Sequence, residues 1–164
     1  MCGLSAGVTD SAERSGPRVV AELDSVGTPG LVFVRLAVDL AGIEVHGRAA
    51  SLGSCVVGVA FDVDAFAYLG AYGGGPGFLA PPEVSMPVQA GGRAALVVRA
   101  TVETQASPPT GVVQVARLCF LREGGRGWLH CELWGACASL RGPGGEVLMD
   151  LAVQRTTRTE RADV

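Results

Sequence analysis

The sequence predicts an α+β domain, an antiparallel sheet packed around one buried helix, with an all-β sandwich or jelly-roll as the alternative. Three observations carry that prediction. The C-terminal half alternates apolar and polar residues with the period of a half-buried strand. The stretch from Ser54 to Tyr72 is apolar, free of Pro, and runs into Gly73-Gly74-Gly75-Pro76. Elsewhere the 24 Gly and 9 Pro cut the chain into short segments. At 164 residues, 48% of them hydrophobic and 18% charged, the chain is the size of one domain and can bury a core.

The elements follow in order. Residues 1–17 are rich in Gly, Ser and Asp and read as a flexible N-terminal segment. The globular domain is expected over 18–155, and 156–164 form a polar tail without apolar periodicity. Leu31 to Leu40 is a Val-rich strand broken only by Arg35 and Asp39, and Ile43 to Ala50 is a second segment after Ala41-Gly42. Arg93 to Glu103 is the clearest strand. Ala94, Leu96, Val98, Ala100 and Val102 share one face, and Arg93, Arg99, Thr101 and Glu103 the other. Gly111–Arg122 and Trp128–Leu140 follow as strands joined by the Gly-rich Glu123–Gly127 turn, and Glu146–Arg155 closes the domain. The middle reads two ways. Cys55, Val57, Val59, Phe61 and Val63 alternate as a strand would, whereas the length, the Ala- and Leu-rich second half and the terminal glycines favour a helix.

Composition narrows the function classes. The net charge of −3 leaves no general basic surface for nucleic acid or an anionic membrane. No apolar run is long enough to span a bilayer, and the start lacks the charged and apolar regions of a secretory signal. A soluble, cytoplasmic protein is expected. The cysteines at 2, 55, 119, 131 and 137 are odd in number and form no CxxC pair, which favours reduced, packed thiols. Two His and scattered Cys show no zinc spacing, so no metal is expected. The opening Met1-Cys2-Gly3 resembles class II glutamine amidotransferases, but the Asn-containing motifs of that family have no counterpart in a chain without Asn.

Several pieces, taken in order, resemble the hotdog fold of phenylacetate-type acyl-CoA thioesterases. Ile43-Glu44-Val45-His46-Gly47-Arg48-Ala49-Ala50-Ser51-Leu52 is similar to the family's approach to its central helix. Met86-Pro87-Val88-Gln89-Ala90-Gly91-Gly92-Arg93-Ala94-Ala95-Leu96 resembles its recurring turn between strands, and Gly125-Arg126-Gly127-Trp128-Leu129 sits where a later turn is found. The resemblance spans roughly residues 31 to 140. It implies a sheet wrapped round one helix, a dimer or tetramer, and a pocket at the subunit seam for an acyl thioester on CoA or a carrier protein, with no further cofactor. The helix N-terminus would polarise the thioester carbonyl beside His46 and Gly47, and a carboxylate would activate water. Two departures from the pattern matter. The second Gly of the motif is Arg48, and the acid position falls on Ser54 or Cys55, which leaves Asp62 and Asp64 as the nearest carboxylates. The resemblance therefore assigns His46, Asp62 and Asp64 to catalysis and Gly47, Arg48, Ser54 and Cys55 to substrate contact.

Plainer readings stand beside these. A His between strand and loop is commonly a surface residue. His130, on one face with Trp128, Glu132 and Trp134, fits a solvated face or an oligomer seam. Gly73-Gly74-Gly75 lacks the Lys and Ser or Thr of a phosphate loop, and Gly91-Gly92 opens a strand and not a helix. The competing function is accordingly a non-enzymatic all-β protein used for binding or self-assembly, of viral or shell type. Residues 54–72 decide between the two: one helix favours the thioesterase, a strand pair the binding protein.

Overall fold

The computed structural model describes residues 16–24, 29–85, 88–104, 107–123, 129–132, 139–150 and 158–160, and among them every regular element is a strand. The four-stranded smaller sheet runs β1 (Arg18–Asp24), β2 (Leu31–Asp39), β10 (Val112–Arg122) and β6 (Phe66–Gly73), all antiparallel. The larger sheet is built on β5 (Ser54–Asp62). One edge of β5 pairs along its whole length with β9 (Arg93–Thr101), whose far edge carries β7 (Glu83–Val84) and β8 (Val88–Ala90). The other edge pairs with β11 (Leu129–Glu132) and β12 (Ser139–Arg141) end to end, which in turn carry β14 (Arg158–Glu160) and β13 (Val147–Asp150). A separate hairpin, β3 (Glu44–Val45) with β4 (Arg48–Ala49), stands between β2 and β5.

The expected helix over 54–72 is overturned. Its first half is β5, with Cys55, Val57, Val59 and Phe61 buried on one face, and its second half is β6 in the other sheet. Two strands separated by one tight turn have the combined length of a helix, and no Gly or Pro marks the break. Asp62 makes it instead. Its side-chain oxygen accepts from the Asp64 N–H at 2.9 Å, and its carbonyl accepts from the Ala65 N–H at 3.3 Å. Such an Asp side chain substitutes for a backbone turn and ends the strand. The terminal glycines are likewise no helix cap. Gly74 donates to the Phe78 carbonyl and Gly75 to that of Gln114, at 2.6 and 2.8 Å, where a Cβ on Gly74 would collide with the Gln114 backbone.

The remaining expectations fare unequally. β9 carries Ala94, Leu96, Val98 and Ala100 inward, as its alternation predicts. Two-residue turns with positive φ close two hairpins, Gly91-Gly92 (59° and 78°) and His46-Gly47 (52° and 72°). By contrast, β10 and β11 do not pair across the Glu123–Gly127 turn, because they belong to different sheets. Trp128 and Trp134 lie outside the described residues, and of His130 only the backbone is placed, opposite Ala60. Among the described residues no helix is long and apolar enough to cross a membrane.

One apolar core joins the sheets. Leu36 and Val38 of β2, Leu118 and Phe120 of β10, Val57, Val59 and Phe61 of β5, and Leu96 and Val98 of β9 form its centre. Phe120 anchors it, meeting Phe61 edge-on across the sandwich at 5.1 Å between ring centroids, with Tyr68 at 5.8 Å and Phe66 at 6.4 Å. Such pairs stabilise beyond the area they bury. By contrast, the cross-strand ion pairs Arg18–Asp39 (3.1 Å) and Arg35–Glu22 (3.4 Å) are partly exposed and contribute at most about 1 kcal/mol each. Phe120→Ala is therefore expected to cost about 3–5 kcal/mol in urea unfolding, whereas Leu79→Ser, at a side chain 64% exposed, should change stability by less than about 0.5 kcal/mol. Equal losses would contradict this core.

Candidate functional site

The residues selected from the sequence separate into two groups. His46, Gly47 and Arg48 form the tip of the β3–β4 hairpin, all exposed, and Ser54 and Cys55 begin β5 near that end of the sandwich. Asp62 and Asp64 stand at the far end of β5, where they build the turn into β6. Eight strand steps at roughly 3.3 Å each put Ser54 and Asp62 about 26 Å apart. No described helix presents its N-terminus to His46, so the polarising arrangement implied by the hotdog resemblance has no counterpart here.

Cys55 and Ser54 face opposite ways. Cys55 is 1% exposed inside the core, and burial raises its thiol from the ordinary 9.0 to about 12, with a backbone hydrogen bond at Ala100 opposing. A thiol so shifted is neither nucleophile nor metal ligand at neutral pH. Burial likewise raises the Cys119 thiol, against the nearby Arg117 charge, and the Tyr68 hydroxyl. Among the described residues no group of His, Cys, Asp and Glu is placed to hold a metal ion.

Two surface features remain. The first is a cleft of about 620 Å³ at the hairpin end of the sandwich. His46 and Arg48 line one side of it, and Pro143, Gly144 and Glu146 from the turn between β12 and β13 line the other. His46 and Arg48 were legible in the sequence as site candidates. Glu146 was not, because nothing near it in sequence shows that its turn folds back to face the hairpin.

The second feature is the outer face of the larger sheet. The outward residues of an exposed antiparallel sheet are ordinarily polar. Here the register sets Val56, Gly58 and Ala60 of β5 beside Arg99, Val97 and Ala95 of β9. The centre of this face is thus a platform of small apolar residues, half-buried at Val56, Ala60, Ala95 and Val97 and buried at Gly58. Exposed Arg93, Arg99, Thr101, Glu83 and Ser85 flank it on the β9 and β7 side, and the Ser85 hydroxyl accepts from the Val97 N–H at 3.0 Å. Sequence alternation had assigned Arg93, Arg99 and Thr101 to this face. The apolar centre between them was missed, since small residues on both faces of β5 blur the alternation.

The high thiol pKa sets an alkaline limit on stability. The folded chain retains the Cys55 proton while the unfolded chain releases it above about pH 9, so this contribution is complete below that pH. It is lost between pH 9 and about 12, at about 1.4 kcal/mol per pH unit. The urea midpoint should fall steadily over that window, and Cys55→Ala should flatten the slope. A pH-independent midpoint would show that the thiol titrates normally.

No protein-family model matches this chain, and no curated protein does. Solved structures do. A non-cellulosomal cohesin from the hyperthermophilic archaeon Archaeoglobus fulgidus is similar over 82% of this chain and 84% of its own, with a TM-score of 0.51 and 9% identity. The sixth cohesin of Acetivibrio cellulolyticus scaffoldin B, solved with a Cel5 dockerin, is similar over 88% and 97%, with a TM-score of 0.51 and 15% identity. These likenesses overturn the hotdog thioesterase resemblance and, with it, the expected acyl-CoA or acyl-carrier partner. At such identities they establish the fold alone, an all-β cohesin-like sandwich.

Proposed function

We propose that this chain is a non-enzymatic recognition domain that holds a partner protein on the outer face of its larger sheet. The observation that carries the reading is the apolar centre of that face, Val56, Gly58, Ala60, Ala95 and Val97, on a sheet side that water alone would select to be polar. An apolar patch rimmed by charged and polar groups is the anatomy of a protein interface. The rim here includes Arg93, Arg99 and Glu83. Because the side chains are small, the platform is flat and suits the side of a helix or another sheet more than a small molecule. Its backbone is fixed by pairing on both edges of β5, so little order has to be acquired on binding. The Acetivibrio cohesin's dockerin complex supports the same class of function on the same fold.

The Cel5 dockerin of that complex, with a panel of further dockerins, is the probe. Biolayer interferometry should show saturable binding by the wild-type domain. Val97→Glu, which places an unpaired charge at the platform centre, should weaken it at least 100-fold, the order expected for a desolvated interface centre. The melting temperature should stay within a few degrees. Binding by none of the panel, or undiminished binding by Val97→Glu, would reject this reading.

A further inference from the structure

The cleft beside the β3–β4 hairpin has walls of opposite charge. Arg48, two residues along the hairpin from His46, supplies a cation on one side, and Glu146 a carboxylate on the other. Among the described residues no ion pair joins Arg48 or His46 to Glu146. The two walls therefore face each other without a bridge between them.

Each wall takes its shape from a tight turn. The carboxylate of Glu146 lies over the turn where Gly142 and Gly144 leave room for it; a Cβ at either position would meet its oxygens. The turn itself is tied by Gly142 donating to the Glu146 carbonyl at 2.8 Å and by Arg141 Nη1 donating to the Gly145 carbonyl at 3.1 Å. On the opposite wall, His46 has a φ of 52°, the one described residue other than Gly with a positive φ. A side chain in that region is strained, and such strain collects at binding sites. A two-residue turn of this type ordinarily takes Asn, Asp or Gly in this position. Val45, Ala49 and Pro143 add apolar surface, and Ser51 adds a hydroxyl.

We infer that this cleft binds a small zwitterion, an amino acid or dipeptide, with its carboxylate on Arg48 and His46 and its ammonium group on Glu146. A singly charged ligand would leave one wall's charge facing it uncompensated, whereas a zwitterion satisfies both, and a carboxylate can take two parallel hydrogen bonds from one guanidinium. The volume lies within the range of small-ligand pockets and accommodates a dipeptide with an apolar side chain against Pro143. This inference is independent of the platform on the larger sheet.

The test is a titration of the ¹⁵N-labelled domain with L-alanyl-L-leucine, followed by two-dimensional NMR, with L-alanine in a parallel arm. Saturable shifts are expected for amides of residues 45–51 and 144–146. N-acetylation or C-terminal amidation of the dipeptide should each weaken binding at least tenfold. Glu146→Gln should bind the free and acetylated dipeptides equally, and Arg48→Gln the free and amidated ones. His46→Asn keeps a residue suited to the turn and should weaken binding while leaving the fold intact. Tighter binding of L-alanine than of the dipeptide assigns the cleft to a free amino acid, and the reverse assigns it to a dipeptide. Absence of saturable shifts, or capped dipeptides binding as well as the free one, would overturn the inference.

Discussion

The burial of β5 is the constraint on which the rest of this molecule depends. The strand is hydrogen-bonded along one edge to β9 and along the other to β11 and β12, so its main-chain groups are satisfied within the sheet. Its inner face presents Cys55, Val57, Val59 and Phe61 to the core, and Phe61 reaches Phe120 across the sandwich. This contact links the two sheets at their centre, since β10 pairs with both β2 and β6 in the smaller sheet. The outer side chains of β5 are small for a related reason: Val56, Gly58 and Ala60 lie between two paired neighbours and carry no charge until Asp62. The strand that secures the core also creates the platform, and the burial that aligns Cys55 with the core removes its thiol from chemistry at neutral pH.

What could be read in the sequence follows from how each element solves its burial. β9 was legible because it is half-buried, with Ala94, Leu96, Val98 and Ala100 inward and charged or hydroxyl residues among the outward positions. β5 has no such contrast. Its outward residues are themselves apolar, so the alternation that identifies a strand is weak, and its apolar character continues into β6. The break between them is an Asp side chain in a turn, a signal far weaker in sequence than Gly or Pro. The smaller sheet was obscured differently. Its strands come from positions 18 to 122 with β5, β7, β8 and β9 of the larger sheet between them, and β10 and β11, neighbours in sequence, lie in different sheets.

The candidate site was legible only in part, and the reason is again tertiary. His46 and Arg48 drew attention as part of a motif that normally introduces a helix. The structure uses the same residues as a hairpin tip, with Gly47 and His46 both in the left-handed region. Their placement beside Glu146 depends on β12 pairing with the start of β5, a contact between residues separated by more than eighty positions. No local pattern carries information over that distance. The same holds for the platform, which exists only when β5 and β9 are in register.

The two surfaces divide rigidity in opposite ways, and that division matches what each would bind. The platform rests on nine consecutive cross-strand pairs between β5 and β9. A surface so constrained is preformed, so a large partner meets it without an ordering cost on this side. The cleft is bounded on one side by a hairpin of two strand pairs, closed at its base by Ala50 donating to the Ile43 carbonyl and tied to the domain by the bridge from Ser51 to Thr110 and by Leu52 donating to the Pro109 carbonyl. Few hydrogen bonds and exposed side chains place such a segment at the low-stability end of the fold, where small movements cost little. A short element can therefore close on a small ligand while the sheets beneath it stay fixed.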